Sequence, residues 1–142
     1  MSSDLSRFLE AQEPIHSTAL QELKRGHKQT HWMWFIFPQL AGLGASSMAI
    51  CYAINSRSEA RDFLHHPILG RRLVECTEAL LAVHDRTAHQ ILGSPDDLKL
   101  RSSMTLFAAI SPPASLFHQI IDQYYKGEMD PKTLLLLKTS PP

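Results

Sequence analysis

A chain of 142 residues, 44% hydrophobic and 20% charged, has the composition of one folded domain, which excludes a disordered segment. Fourteen basic residues balance fourteen acidic ones with the histidines neutral, which excludes a general electrostatic pull toward nucleic acid or an anionic membrane. The sequence opens without a basic-then-apolar leader, and its longest apolar run, residues 32–37, is far short of the ~20 residues of a membrane span, so a cytoplasmic protein with no membrane contact is expected.

In chain order, Ser2, Ser3 and Asp4 offer caps for a helix carrying Leu5, Phe8 and Leu9. Pro14 suits the first turn of a second helix, with Ile15, Ala19, Leu20 and Leu23 inward and Gly26 as its stop. Thr30 is placed to cap a short third helix through the aromatic block, ended by Pro38. After Gly42 and Gly44, Ser46 or Ser47 starts a helix through Met48, Ile50, Cys51, Tyr52 and Ile54. Ser58 heads the next, with Ala60, Phe63 and Leu64, and His66-Pro67 breaks it.

The clearest periodicity follows. Leu69, Leu73, Cys76, Leu80 and Val83 step by four, three, four and three residues. A short helix over 87–92 stops at Gly93. Ser94-Pro95-Asp96-Asp97 then reads as a helix start, with Ser94 at the cap and the aspartates at the positive end, before Leu98, Leu100, Met104, Phe107, Ala108 and Ile110. Leu116, Phe117, Ile120, Ile121, Tyr124 and Tyr125 mark a long helix stopped by Gly127, and Asp130-Pro131 opens a last one over 133–137. Residues 134–137 are apolar all round and must dock on the body or on another chain. No strand pair or repeat interrupts this pattern, so the expectation is an all-α, single compact multihelical domain over 1–142, with 1–3 and 138–142 as frayed tails. The two cysteines, Cys51 and Cys76, each fall in a segment that reads as buried helix.

Chemistry concentrates in two stretches. KQTHWMWFIFPQ over 28–39, followed by Gly42-Leu43-Gly44, places both tryptophans and two of the six phenylalanines in six consecutive residues. DLKLRSSMTLF occupies 97–107, and a weaker stretch, HPILGRRL, occupies 66–73. The chain resembles the family known as domain of unknown function 1810 on these strings, from Phe8 to about Leu137. The resemblance implies a small all-helical domain and no particular chemistry. The label "calpastatin" carried by some members is a naming artefact, because calpastatins are disordered and this chain reads as folded. Residues 101–107 also resemble, faintly, the NADAR family of helical N-glycosidases. That family sets a glutamate beside its aromatic motif, where Thr30 and His31 stand here, so no catalytic residue is carried over.

Core packing is the default for each aromatic ring; the functional alternative is that Trp34 lines a slot for a planar ligand. His31 suits acid/base work near neutral pH, against the bland role of bonding a carbonyl. Gln39 either reads a ligand edge or pins the glycine loop. Lys99, Ser102 and Ser103 either form a solvated stripe or line a polar pocket against the aromatic block, with Asp97 as a partner acid or base. Arg72 could grip an anion with Arg71, Lys99 and Arg101, although adjacent arginines on a helix diverge by about 100°. Gly42-x-Gly44 lacks the strand and third glycine of a nucleotide fingerprint. The histidines have no carboxylate or cysteine at metal-ligand spacing, so neither metal nor cofactor is expected.

The leading expectation is a site for a small anionic, phosphorylated or nucleotide-like ligand between the two stretches. His31 and Asp97 are its candidate catalytic pair, and Trp34, Gln39, Arg72, Lys99, Ser102 and Ser103 its candidate binding residues. The rival is a non-catalytic adaptor or dimerisation module, monomer or homodimer, using exposed aromatic and leucine surfaces. Balanced charge and the lack of a long basic stripe disfavour nucleic acid.

Overall fold

The computed structural model describes residues 4–139, as ten helices. They are α1 (Ser6–Gln12), α2 (His16–Lys24), α3 (Met33–Ile36), α4 (Ser47–Cys51), α5 (Arg57–His65), α6 (Leu69–Leu81), α7 (Ala88–Leu92), α8 (Asp96–Ala109), α9 (Leu116–Tyr125) and α10 (Pro131–Thr139). Among the described residues the only extended pairing is a parallel bridge of Leu40 with Ile54, where Ala41 N–H donates to the Ile54 carbonyl at 2.8 Å and Ile54 N–H to Gln39 at 2.9 Å. The architecture is all-α, around one apolar core.

α8 is the axle. Residues 102–108 are all buried, so no polar stripe survives along its middle. Phe107 lies in an aromatic relay. Phe8 meets Phe63 edge-on at 5.1 Å, Phe63 meets Phe107 at 5.7 Å, and Phe107 meets Phe117 at 5.6 Å. Rings from α1, α5, α8 and α9 thereby fill the centre with large apolar volume at low side-chain entropy cost. α6 buries the expected Leu69, Leu73, Cys76 and Leu80. At its first turn a β-carbon on Gly70 would fall 1.9 Å from the Leu64 carbonyl oxygen, so only glycine lets α5 and α6 approach this closely.

Several helix starts differ from the sequence reading. Leu5, not Asp4, occupies the cap position of α1, without a side-chain bond, and Asp4 instead accepts from the Ser6 N–H at 3.0 Å and the Ser6 hydroxyl at 2.7 Å; the proposed caps Ser2 and Ser3 lie outside the described residues. Ser56, not Ser58, caps α5 by accepting from Glu59 N–H. Pro95, not Ser94, occupies the cap position of α8, without a side-chain bond. α4 ends at Cys51, and Ile54 joins the bridge to Leu40. α10 takes in Lys138 and Thr139, which were expected as tail, while residues 140–142 lie outside the described segment. Cys76 is buried, but Cys51, at the end of a five-residue helix, is exposed. In the leucine run Leu137 is buried and Leu135 is 61% exposed, as is Leu98 at 59%.

Candidate functional site

The first signature is held from below by Glu22. This residue falls on the inward stripe of α2, one helical turn after Ala19 and beside Leu23, and is only 3% exposed. Gly26, with φ of +71°, reverses the chain. Gly26 N–H closes on Leu23 and His27 N–H on Glu22, the paired bonds of a glycine-terminated helix. The returning strand of chain brings Gln29 N–H (2.8 Å), Thr30 N–H (3.0 Å) and the Trp32 indole N–H (2.9 Å) onto Glu22 Oε1, and the Thr30 hydroxyl (2.7 Å) onto Oε2. Burial opposes ionisation of this carboxyl. The Gln29 amide, the Trp32 indole and both Thr30 donors outweigh it and hold the pKa at about 2. Thr30 is therefore spent on Glu22 and does not cap α3, whose cap position is Trp32.

Lys28 ties the same segment to the second signature. Its N–H donates to Ile91 at 2.7 Å, and its ammonium lies 2.9 Å from Asp96 Oδ2 and 5.2 Å from the centre of the Trp32 ring. Trp32, Met33, Ile36 and Phe37 are core, whereas Trp34 and Phe35 are half-buried. The Lys99 ammonium stands 4.8 Å over the Trp34 ring and 3.7 Å from Asp96 Oδ1. The two stretches, some sixty residues apart in sequence, thus share one junction. There Asp96 sits between two lysines, and each lysine covers a tryptophan face.

The expected site residues distribute unevenly around this junction. Trp34 and Lys99 touch. Asp97 is in the same first turn of α8; its Oδ1 accepts from Leu98 N–H at 2.9 Å, and its Oδ2 lies 3.5 Å from Nδ1 of His89. His31 is exposed and makes no hydrogen bond or ion pair among the described residues. Gln39 is half-buried and its side-chain amide is likewise unbonded. Ser103, one turn beyond Lys99 on the same face, is fully buried with no partner for its hydroxyl.

Ser102 instead faces α10, donating to Asp130 Oδ2 at 2.9 Å. Arg72 turns to the α1–α2 corner, where it meets Gln12 at 3.4 Å and Glu13 at 3.5 Å. Arg101 donates to the carbonyls of Glu128 and Met129, and Arg71 lies 3.6 Å from Glu75. The anion-binding corner of four cations does not assemble, because each is engaged elsewhere or faces a different element.

Glu22, Lys28 and His89 are the site's contributors that the sequence reading missed. An acidic residue on an otherwise apolar stripe, followed by donor-rich residues after a glycine stop, was the available signal for Glu22. The other two depend on tertiary approach.

Clefts open on the surface beside α2. One, of about 380 Å³, lies between α2 and α6 and is lined by Leu20, Lys24, Glu75, Glu78 and Val83 among others. The second, of about 360 Å³, runs along α2 and over Gln29 and Thr30. Neither is lined by Trp34 or Lys99, so their contact is not in the wall of either cleft. Among the described residues no helix is long and apolar enough to cross a membrane, and no group of three metal-binding side chains gathers.

Comparison with known proteins places residues 2–137 under a family model described as "Protein of unknown function (DUF1810)". A solved structure, that of the conserved hypothetical protein Rv1873 from Mycobacterium tuberculosis, is 47% identical in sequence. It superposes with a TM-score of 0.93 over 95% of this chain and 96% of that one. Among curated proteins nothing matches the sequence.

Proposed function

We propose that this chain, which belongs to the DUF1810 family of proteins of unknown function, binds a small phosphorylated or nucleotide-like molecule where its two signature stretches meet. The observation that carries this reading is the Lys99 ammonium poised 4.8 Å over the half-buried Trp34 ring. An indole face offers stacking area to a base or flavin-like ring. Lys99 is held by that ring and by a loose 3.7 Å contact with Asp96, so its ammonium is available to a phosphate. The unbonded Gln39 amide supplies a donor and an acceptor for a ligand edge; the Ser103 hydroxyl is fully buried and stands outside this reading. Ser102 is bonded to Asp130 and Arg72 is turned to the α1–α2 corner, so both stand outside this reading. In its enzymic form, hydrolysis or glycosidic cleavage, exposed His31 or half-buried Asp97 acts as acid or base.

Thermal unfolding with adenosine monophosphate tests the binding. Ligand at a hundredfold over its Kd stabilises by about 2.7 kcal/mol, a rise of several degrees in Tm. Lys99→Ala and His31→Ala should each abolish the rise and leave helicity unchanged; retention of the rise in both contradicts the site. The exposed Leu98, Leu134 and Leu135 favour a second reading, a docking face for a partner protein or a second copy. A concentration-dependent dimer indifferent to nucleotide would favour that reading over the first.

A further inference from the structure

The cleft of about 360 Å³ along α2 has an unusual charge arrangement. Ser17, Thr18, Gln21 and Arg25 form its α2 wall, Gln29 and Thr30 lie opposite, and the nearly inaccessible Glu22 carboxylate contributes to its lining. Glu22 Oε1 accepts three hydrogen bonds, whereas Oε2 accepts one, from the Thr30 hydroxyl. Oε2 therefore carries the lighter hydrogen-bond load of the two oxygens, one donor against three. All four donors are neutral. No cation lies within ion-pair distance of Glu22 among the described residues, so its negative charge is solvated by dipoles and not neutralised. Arg25, one turn along the same helix, is exposed and makes neither a salt bridge nor a side-chain hydrogen bond among the described residues. The remaining lining is hydroxyl and amide.

These features select a ligand class. A phosphate ester would meet the Glu22 charge, and a simple amine would leave Arg25 without a counter-ion. A small zwitterion satisfies both. We propose that this cleft binds a free α-amino acid, its ammonium donating to Glu22 Oε2, its carboxylate gripped by Arg25, and a short polar side chain against Ser17, Thr18 and Gln21. This is a second site, independent of the Trp34–Lys99 shelf.

L-glutamine, titrated into the ¹⁵N-labelled full chain, is the probe. The Gln29 and Thr30 amides and the Trp32 indole all donate to Glu22, so their resonances should move together and saturate in the millimolar range. Arg25 is on the surface, and Arg25→Ala should weaken binding by about tenfold or more, the effect of losing one charge-assisted bond. Propylamine and acetate, each carrying one of the two charges, should bind more weakly by a similar factor. Trp34→Ala should leave the titration unchanged, which separates this site from the nucleotide shelf. The proposal is overturned by the absence of saturable shifts, by an Arg25→Ala variant that binds as tightly as wild type, or by acetate alone reproducing the response.

Discussion

A carboxylate taken out of water costs several kcal/mol unless donors replace the water, and Glu22 receives Gln29, Thr30 and Trp32 in that role. Its folded pKa of about 2 lies below its ordinary value of 4.5. The folded state therefore binds this proton less readily than the unfolded chain. The stabilisation is complete above pH 4.5 and is lost as pH falls toward 2, an amount of about 3 kcal/mol. Asp130, held low against the cost of burial by the Thr133 and Ser102 hydroxyls, adds in the same direction. Urea unfolding across that acid range should show the loss in wild type and a flatter profile in Glu22→Gln. The variant should itself be about 1–3 kcal/mol less stable near neutrality, because an amide oxygen cannot accept all four donors. An equally steep acid profile in Glu22→Gln contradicts the assignment. The thiols give a simpler check. Burial pushes Cys76 up to about 12 while Cys51 is exposed, so a disulfide reagent should titrate one thiol in the native protein and both in urea.

Helices were legible wherever the 3.6-residue period ran for two turns or more. α9 lies where the apolar spacing of Leu116 to Tyr125 places it, and α6 starts at Leu69 as its spacing predicts but ends at Leu81, before Val83. Starts were less legible, because neighbouring serines compete for a cap and only local geometry selects Ser56 over Ser58. The close approach of α5 to α6 was hidden altogether, since a glycine inside a helix reads only as a weak helix former. Gly70→Ala drives a methyl against the Leu64 carbonyl and should cost at least about 2 kcal/mol in chemical denaturation, whereas an alanine tolerated without loss would mean the two helices meet differently. At the other end, Asp130 caps α10 by accepting from Thr133 N–H at 3.3 Å and its hydroxyl at 2.5 Å while also binding Ser102 on α8. Asp130→Ala should release the amides of α10 to faster hydrogen exchange and leave those of α6 unchanged.

For the molecule as a whole, the all-helical body was legible because no segment alternates with period two over a strand's length. The meeting of residues 28–39 with the start of α8 was an expectation from the site argument alone. Lys28 stands on Asp96 and Lys99 over Trp34, while neither cleft is lined by Trp34 or Lys99. What the sequence could not convey is the use of each polar residue once packed. Ser102 and Ser103 are adjacent, yet one is spent on Asp130 and the other is left without a partner, because 100° of helix separates them. The junction of the two stretches as a ligand-binding shelf is tested most directly by following the two tryptophan indole resonances during titration with adenosine monophosphate. The expected result is a saturable shift of the Trp34 indole, with the Trp32 indole, sequestered on Glu22, nearly unmoved, and loss of the effect in Lys99→Ala. A Trp34 signal that stays fixed at saturating nucleotide, or that moves equally in Lys99→Ala, would contradict it.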